Sequence, residues 1–90
     1  MTKIVLTAQV EDAATWEKRV RTHGELLKTV TPTAHYTVTK DNEVAMCAEV
    51  ADVAKYFELL ASPAIAEAMA YDGVMRETVK TFVLDKEFKF

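Results

Sequence analysis

Apolar and polar residues alternate along four segments of the chain, and two longer segments between them repeat apolar residues every three or four positions. Period-two alternation predicts β-strands, and the three-to-four spacing predicts amphipathic helices. The order is strand, helix, strand, strand, helix, strand, and Asp41-Asn42 predicts a tight hairpin between the two middle strands. The strands are predicted within residues 4–10, 34–40, 44–50 and 76–84.

The first predicted helix begins after Asp12, which is a good N-cap residue. It is expected to end before Pro32, because proline disfavours helical geometry in the residue before it. We expect one continuous helix whose apolar stripe contains Ala13, Trp16, Val20, Leu27 and Val30.

The second predicted helix begins after Asp52 and is interrupted at Ser62-Pro63, where a new N-cap and first helical residue predict a restart. Gly73 is suited to a left-handed C-cap. Within its apolar stripe Phe57 fits better than its neighbour Tyr56. The stripe is predicted to contain Val53, Phe57, Leu60, Ala61 and Ile65.

With right-handed crossovers, this order gives a ferredoxin-like α+β fold, a four-stranded antiparallel sheet with both helices on one face. Apolar residues nevertheless occur on both faces of several strands, for example at Val5 and Leu6 and at Phe82 and Val83. A sheet with one solvated face would alternate more cleanly. We therefore expect a homodimer that pairs through the sheets, with the tail DKEFKF reaching the neighbouring chain.

The composition is that of one globular domain spanning residues 1–90. Half of the residues are hydrophobic, 28% are charged, and the net charge is -3. Dispersed lysines and a net negative charge argue against nucleic-acid binding. No segment is long enough to span a bilayer and the N-terminus lacks a secretory pattern, so a cytoplasmic protein without a membrane partner is expected. Cys47 lies in an apolar run and is expected to be buried and inert.

No motif for a nucleotide, a metal or a nucleophilic triad is recognisable. Two histidines and one cysteine, far apart in the chain, make a zinc site improbable. Any catalysis is therefore expected to need no cofactor. Proton transfer, cyclisation, isomerisation, or oxidation of a substrate that itself reacts with oxygen would fit.

His23 is the first candidate for such chemistry, because it follows Val20 by three residues and precedes Leu27 by four, on or beside the apolar stripe. An ordinary imidazole titrates near about pH 6.5 and can act as a general acid or base. Gly24 would remove side-chain volume where a ligand lies against the helix. In the alternative interpretation, His23 lies at the helix rim and Gly24 only lets the helix approach the sheet.

His35 and Tyr36 are adjacent on the second strand and therefore face opposite ways. Hydrophobicity favours Ala34, Tyr36 and Val38 as the helix-facing set, which makes the Tyr36 phenol a candidate to orient a ligand. His35 would line the pocket only if the other face met the helices.

Three further residues are candidates for the wall of a substrate pocket, with core packing as the alternative role for each. An indole offers a flat apolar surface, a phenol adds a polar tip, and methionine adapts to irregular shapes. These residues are Trp16, Tyr56 and Met69.

The stretch from KIVLTAQV to TFVLDKEF resembles the dimeric α+β barrel superfamily, most sharply in FELLASPAIAEAMAYDGV, residues 57–74. This superfamily includes antibiotic-biosynthesis monooxygenases, polyketide-type cyclases and stress-responsive proteins. The resemblance implies a sheet-to-sheet homodimer with a pocket between sheet and helices in each subunit. It implies a cofactor-free enzyme (cyclase, isomerase or monooxygenase) for a small apolar or aromatic, polyketide-like compound. In such an enzyme we expect His23 to be the acid or base and Tyr36 or Tyr56 to be the orienting donor. A non-catalytic small-molecule binder, a stress-responsive dimer and a purely structural dimer remain alternatives.

Overall fold

The four strands form one antiparallel sheet in the order β2-β3-β1-β4, and the helices pack on one of its faces. The computed structural model describes residues 1–90, and the ferredoxin-like α+β fold predicted from the sequence is confirmed. None of its helices combines the length and the apolar character needed to cross a membrane. The elements are β1 (Thr2–Val10), α1 (Ala13–Val20), a 3₁₀ turn (Arg21–His23), α2 (Gly24–Leu27), β2 (Ala34–Val38), β3 (Glu43–Val50), α3 (Val53–Leu60), α4 (Pro63–Asp72) and β4 (Val74–Val83).

The buried core lies between the sheet and the helices in two clusters. At one end Tyr56 of α3 packs on Ile4 and Val50 of the central strands. At the other end Trp16 of α1 packs with Val10 and Val44. The central strands β1 and β3 therefore hold both helical segments against the same face.

The first helical segment is not the continuous helix that the sequence predicts. It breaks after Val20 into a 3₁₀ turn, and His23 leaves the helical region with φ −100° and ψ 17°. The hydroxyl of Thr22 donates to the carbonyl of Arg19 at 2.6 Å, and that of Thr29 donates to Leu26 at 2.7 Å. Threonine side chains that bond nearby carbonyls compete with the helical ladder, which favours a break here.

The helix ends follow the predicted signals. Side-chain oxygens of Asp12, Asp52 and Ser62 accept hydrogen bonds from the backbone N–H three residues later. The bond to Thr15 lowers the pKa of the Asp12 carboxyl. Gly73 ends α4 in the left-handed region with φ 79°.

The hairpin between β2 and β3 also turns where predicted, at Asn42, whose φ is 62°. Its side-chain oxygen accepts from the N–H of Ala13 at 3.0 Å, and its carbonyl accepts from the N–H of Val10 at 2.9 Å. The hairpin tip thereby fastens the junction between β1 and α1.

The buried stripe of α3 differs from the prediction by one position. Val53, Tyr56 and Leu60 pack toward Ile4, whereas Phe57 is 41% exposed. Both choices fit helical spacing, so periodicity alone cannot distinguish them.

The face of the sheet away from the helices, here called the open face, carries a row across all four strands. His35 opposes Cys47, Cys47 opposes Val5, and Val5 opposes Phe82. Phe82 is 50% exposed, whereas Val5 and Cys47 are half-buried, so the expectation of a fully buried thiol is wrong. The tail beyond β4 is exposed along its whole length.

Candidate functional site

A cavity of about 100 Å³ lies between the sheet and the helices, and 18 of its 21 lining residues are hydrophobic. Leu6 and Met46 of the central strands form part of its floor. The three lining residues that are not hydrophobic are His23, Thr31 and Asp72.

Thr31 is satisfied by the fold itself. It is buried, and its hydroxyl oxygen lies 2.8 Å from the carbonyl oxygens of both Thr33 and Glu49. This hydroxyl closes the loop between α2 and β2 onto β3. Besides the phenol of Tyr56, only His23 and Asp72 remain as polar groups for chemistry.

His23 and Asp72 form a pair across the cavity wall, although 49 positions separate them in the chain. The 3₁₀ turn after α1 presents His23, and the last turn of α4 presents Asp72. Imidazole Nδ1 lies 3.2 Å from carboxylate Oδ2. The His23 side chain is 21% exposed and that of Asp72 only 5%. The arrangement joins a buried acid to a partly accessible base.

The carboxyl group of Asp72 is placed unfavourably for a charged side chain. Its Oδ1 is buried and has no hydrogen-bond partner. It also lies in the last turn of α4, where the helix dipole disfavours negative charge. Burial raises the pKa of Asp72, and the neighbouring His23 and Arg19 offset only part of that rise.

Tyr71 lies at the surface beside this pair and is 53% exposed. The Arg19 guanidinium donates to the Tyr71 carbonyl at 2.7 Å and stacks 4.8 Å from its ring centroid. The edge of the His23 ring meets the same phenol, with 5.9 Å between centroids. These contacts hold the last turn of α4 against the end of α1, and so fix the distance between acid and base.

Four of the residues predicted from the sequence do line the cavity: Trp16, His23, Tyr56 and Met69. Burial raises the pKa of the Tyr56 phenol. The tertiary structure thus brings together one base from the 3₁₀ turn and three apolar or aromatic wall residues from α1, α3 and α4.

Tyr36 faces the helices but does not line the cavity. Its ring packs edge-on against Trp16, with centroids 5.4 Å apart. Its hydroxyl donates to Glu17 at 3.0 Å and accepts from Arg21 at 3.1 Å. The phenol therefore buttresses the wall residue Trp16 from outside, and its hydroxyl is turned to charged surface groups.

Gly24 and His35 also lie outside the cavity. Gly24 is exposed, and a methyl group built there would meet no atom within 4 Å. It makes no room for a ligand, contrary to the expectation from the sequence, because the break before it turns its Cα to solvent. His35 points to the open face, opposite Cys47.

Asp72 is the site residue that the sequence reasoning missed, because Asp72-Gly73 reads locally as a helix end. One signal was present. A buried acidic residue in the last turn of a helix is disfavoured by the helix dipole, so Asp72 needs another reason to be there. No three His, Cys, Asp or Glu residues lie close enough together to hold a metal ion.

No protein-family model matches the chain, and no curated protein matches it. Solved structures do. SnoaB, a cofactor-independent oxygenase from Streptomyces nogalater, superposes with a TM-score of 0.70 at 15% identity, covering 98% of this chain and 94% of its own. An antibiotic biosynthesis monooxygenase gives 0.69 at 13% identity, covering 97% and 99%.

The monooxygenase ActVA-Orf6 of Streptomyces coelicolor, solved with nanaomycin D, gives a TM-score of 0.63 at 21% identity, covering 99% of this chain and 89% of its own. The chain has the fold of these oxygenases. The resemblance stated from the sequence is thereby confirmed at the level of the fold.

Proposed function

We propose that this protein is a cofactor-free enzyme of the cyclase, isomerase or monooxygenase type, acting on a small apolar or aromatic, polyketide-like compound. The observation that carries the proposal is the His23–Asp72 pair in the wall of an otherwise apolar cavity. The likeness to a cofactor-independent oxygenase supports the same class of chemistry.

The lining of the cavity suits an apolar substrate. Trp16 and Tyr56 offer aromatic surfaces, and Met69 can adapt its shape to a ligand. The volume of about 100 Å³ is below that of typical ligand pockets, about 300–1,000 Å³. A multi-ring substrate therefore requires the cavity to widen. The shortest helical segments bordering the cavity are the three-residue 3₁₀ turn and the four-residue helix α2.

In the proposed chemistry His23 takes a proton from a phenolic O–H or an activated C–H of the substrate. The resulting anion is electron-rich. It can attack a carbonyl of the same molecule to close a ring, regain the proton at another carbon, or transfer an electron to O₂. Each route starts with the same proton transfer, so one base serves all three.

The proposal includes a homodimer in which residues 1–90 form one α+β barrel domain with a second copy. The apolar row on the open face supports it, since Phe82 and Val5 lie side by side there with no cover within one chain. The cytoplasmic location expected from the sequence belongs to the same proposal.

The test compares His23→Gln with His35→Gln, the matched control on the opposite face. Each variant is incubated with phenolic and polyketide-like compounds, while oxygen uptake and product masses are recorded. We expect His23→Gln to lower kcat about 10²–10⁴-fold, the usual contribution of a general acid or base, and His35→Gln to leave it unchanged. Equal turnover in both variants would contradict the proposal. Ligand binding without turnover, reported by Trp16 fluorescence, would instead indicate a non-catalytic binder.

A further inference from the structure

Asp72 has no evident structural reason to be acidic. Gly73, and not Asp72, provides the left-handed end of α4. A buried carboxylate oxygen without a hydrogen-bond partner destabilises a fold. An apolar residue at this position would avoid both this penalty and the unfavourable interaction with the helix dipole.

The only hydrogen bond that the Asp72 side chain makes is to His23. Any effect of the Asp72 carboxylate on the site is therefore exerted through the His23 imidazole. An ionised carboxylate can only accept hydrogen bonds, so the nitrogen facing it must carry the proton. In a neutral imidazole, the other nitrogen is then the unprotonated one.

We infer that Asp72 is a positioning residue that holds His23 in the Nδ1–H tautomer and leaves Nε2 free to accept a proton. The tautomer follows from the contact of Nδ1 with an ionised Asp72 carboxylate, whereas its consequence for turnover rests on the proposed function. Asp72 would thus decide which nitrogen of His23 serves as the base.

Two neighbouring groups favour an ionised Asp72 and offset part of the cost of its burial. Arg19 of α1 lies close enough to favour the carboxylate, and His23 does the same from the 3₁₀ turn. Tyr71 of α4 meets the His23 ring edge-on, which limits its rotation. The ring is thereby held from two sides while Nδ1 faces the acid.

The experiment is an NMR measurement of the ring nitrogens of both histidines in the full-length protein at about pH 9, where an ordinary imidazole is neutral. N-acetylhistidine methylamide in the same buffer provides the tautomer ratio of a solvated histidine, because His35 lies on the open face proposed to pair with a second copy. We expect His23 Nδ1 to show a pyrrole-like shift and Nε2 a pyridine-like shift, and His23 to approach the ratio of this reference compound in Asp72→Ala. Glu67→Gln, an exposed change on the same helix, should alter neither.

A wild-type His23 with the same ratio as the solvated reference compound, or with unprotonated Nδ1, would overturn the inference. This comparison needs only the wild-type protein, so the inference can be tested even if a variant fails to fold. With a substrate in hand, Asp72→Asn, whose amide N–H can donate to Nδ1 and so hold the other tautomer, should lower kcat on the order of 10⁴-fold and change KM less. A held tautomer without turnover would refute the proposed function and leave the inference standing.

Discussion

Replacing each of the two glycines of this chain by alanine is expected to change the stability of the protein in opposite directions. Gly24 opens α2 with φ −55° and ψ −41°, ordinary helical values. Gly73 closes α4 with φ 79° and ψ 27°, in the left-handed region. Replacing Gly24 therefore tests the entropic cost of a glycine that the backbone does not require, and replacing Gly73 tests a glycine that the left-handed backbone does require.

Gly24→Ala is expected to stabilise the protein. The residue is exposed and an added Cβ meets nothing within 4 Å, so no packing is disturbed. Alanine reduces the freedom of the unfolded chain and favours helix, which together give about 0.5–1 kcal/mol.

Gly73→Ala is expected to destabilise the protein by about 1–2 kcal/mol, because a Cβ in the left-handed region approaches the following carbonyl. Space is not the cause, since the nearest atom to an added Cβ is Cβ of Glu11 at an ordinary 3.5 Å. Gly73→Asn provides the control, because asparagine tolerates this conformation better and should lose less.

Urea unfolding of the three variants measures these effects, and thermal unfolding repeats them at roughly 4–8 °C per kcal/mol for a domain of this size. A destabilising Gly24→Ala would mean that Gly24 lies in a close contact and not on the surface. A neutral Gly73→Ala would mean that α4 does not end in the left-handed conformation. Either result would refute the reasoning from these backbone angles.

Two further outcomes follow from the site and from the open face. Because the folded-state pKa of Asp72 is raised above its ordinary 3.8, its ionisation destabilises the folded state, and that penalty is absent at low pH and complete above the folded pKa. Asp72→Asn should therefore gain stability relative to wild type as the pH rises from 3.8 through the folded-state pKa; a pH-independent difference in urea unfolding would contradict this. Phe82→Lys should dissociate the proposed dimer in sedimentation velocity, whereas Phe57→Lys, an equally exposed aromatic position on α3, should not; a monomeric wild type would refute the dimer itself.

The sequence by itself determined the order of the strands and helical segments, and several of their ends. Asp12, Asp52 and Ser62 cap helices through atoms at most three residues away, and Asn42 and Gly73 adopt left-handed conformations that asparagine and glycine tolerate. Such signals are local, so they can be recognised before the fold is known. The alternation of apolar and polar residues along the strands, together with the preference for right-handed crossovers, then left few possible strand orders for the sheet.

Only the tertiary structure decided the site. Tyr56 and Phe57 both fit helical spacing, and the rotation of α3 on the sheet chose Tyr56. The break after α1 placed His23 at the cavity wall and turned Gly24 away from it. The pairing of His23 with Asp72 joins two helix ends that no local pattern relates, because that distance depends on how both helices pack on the shared sheet.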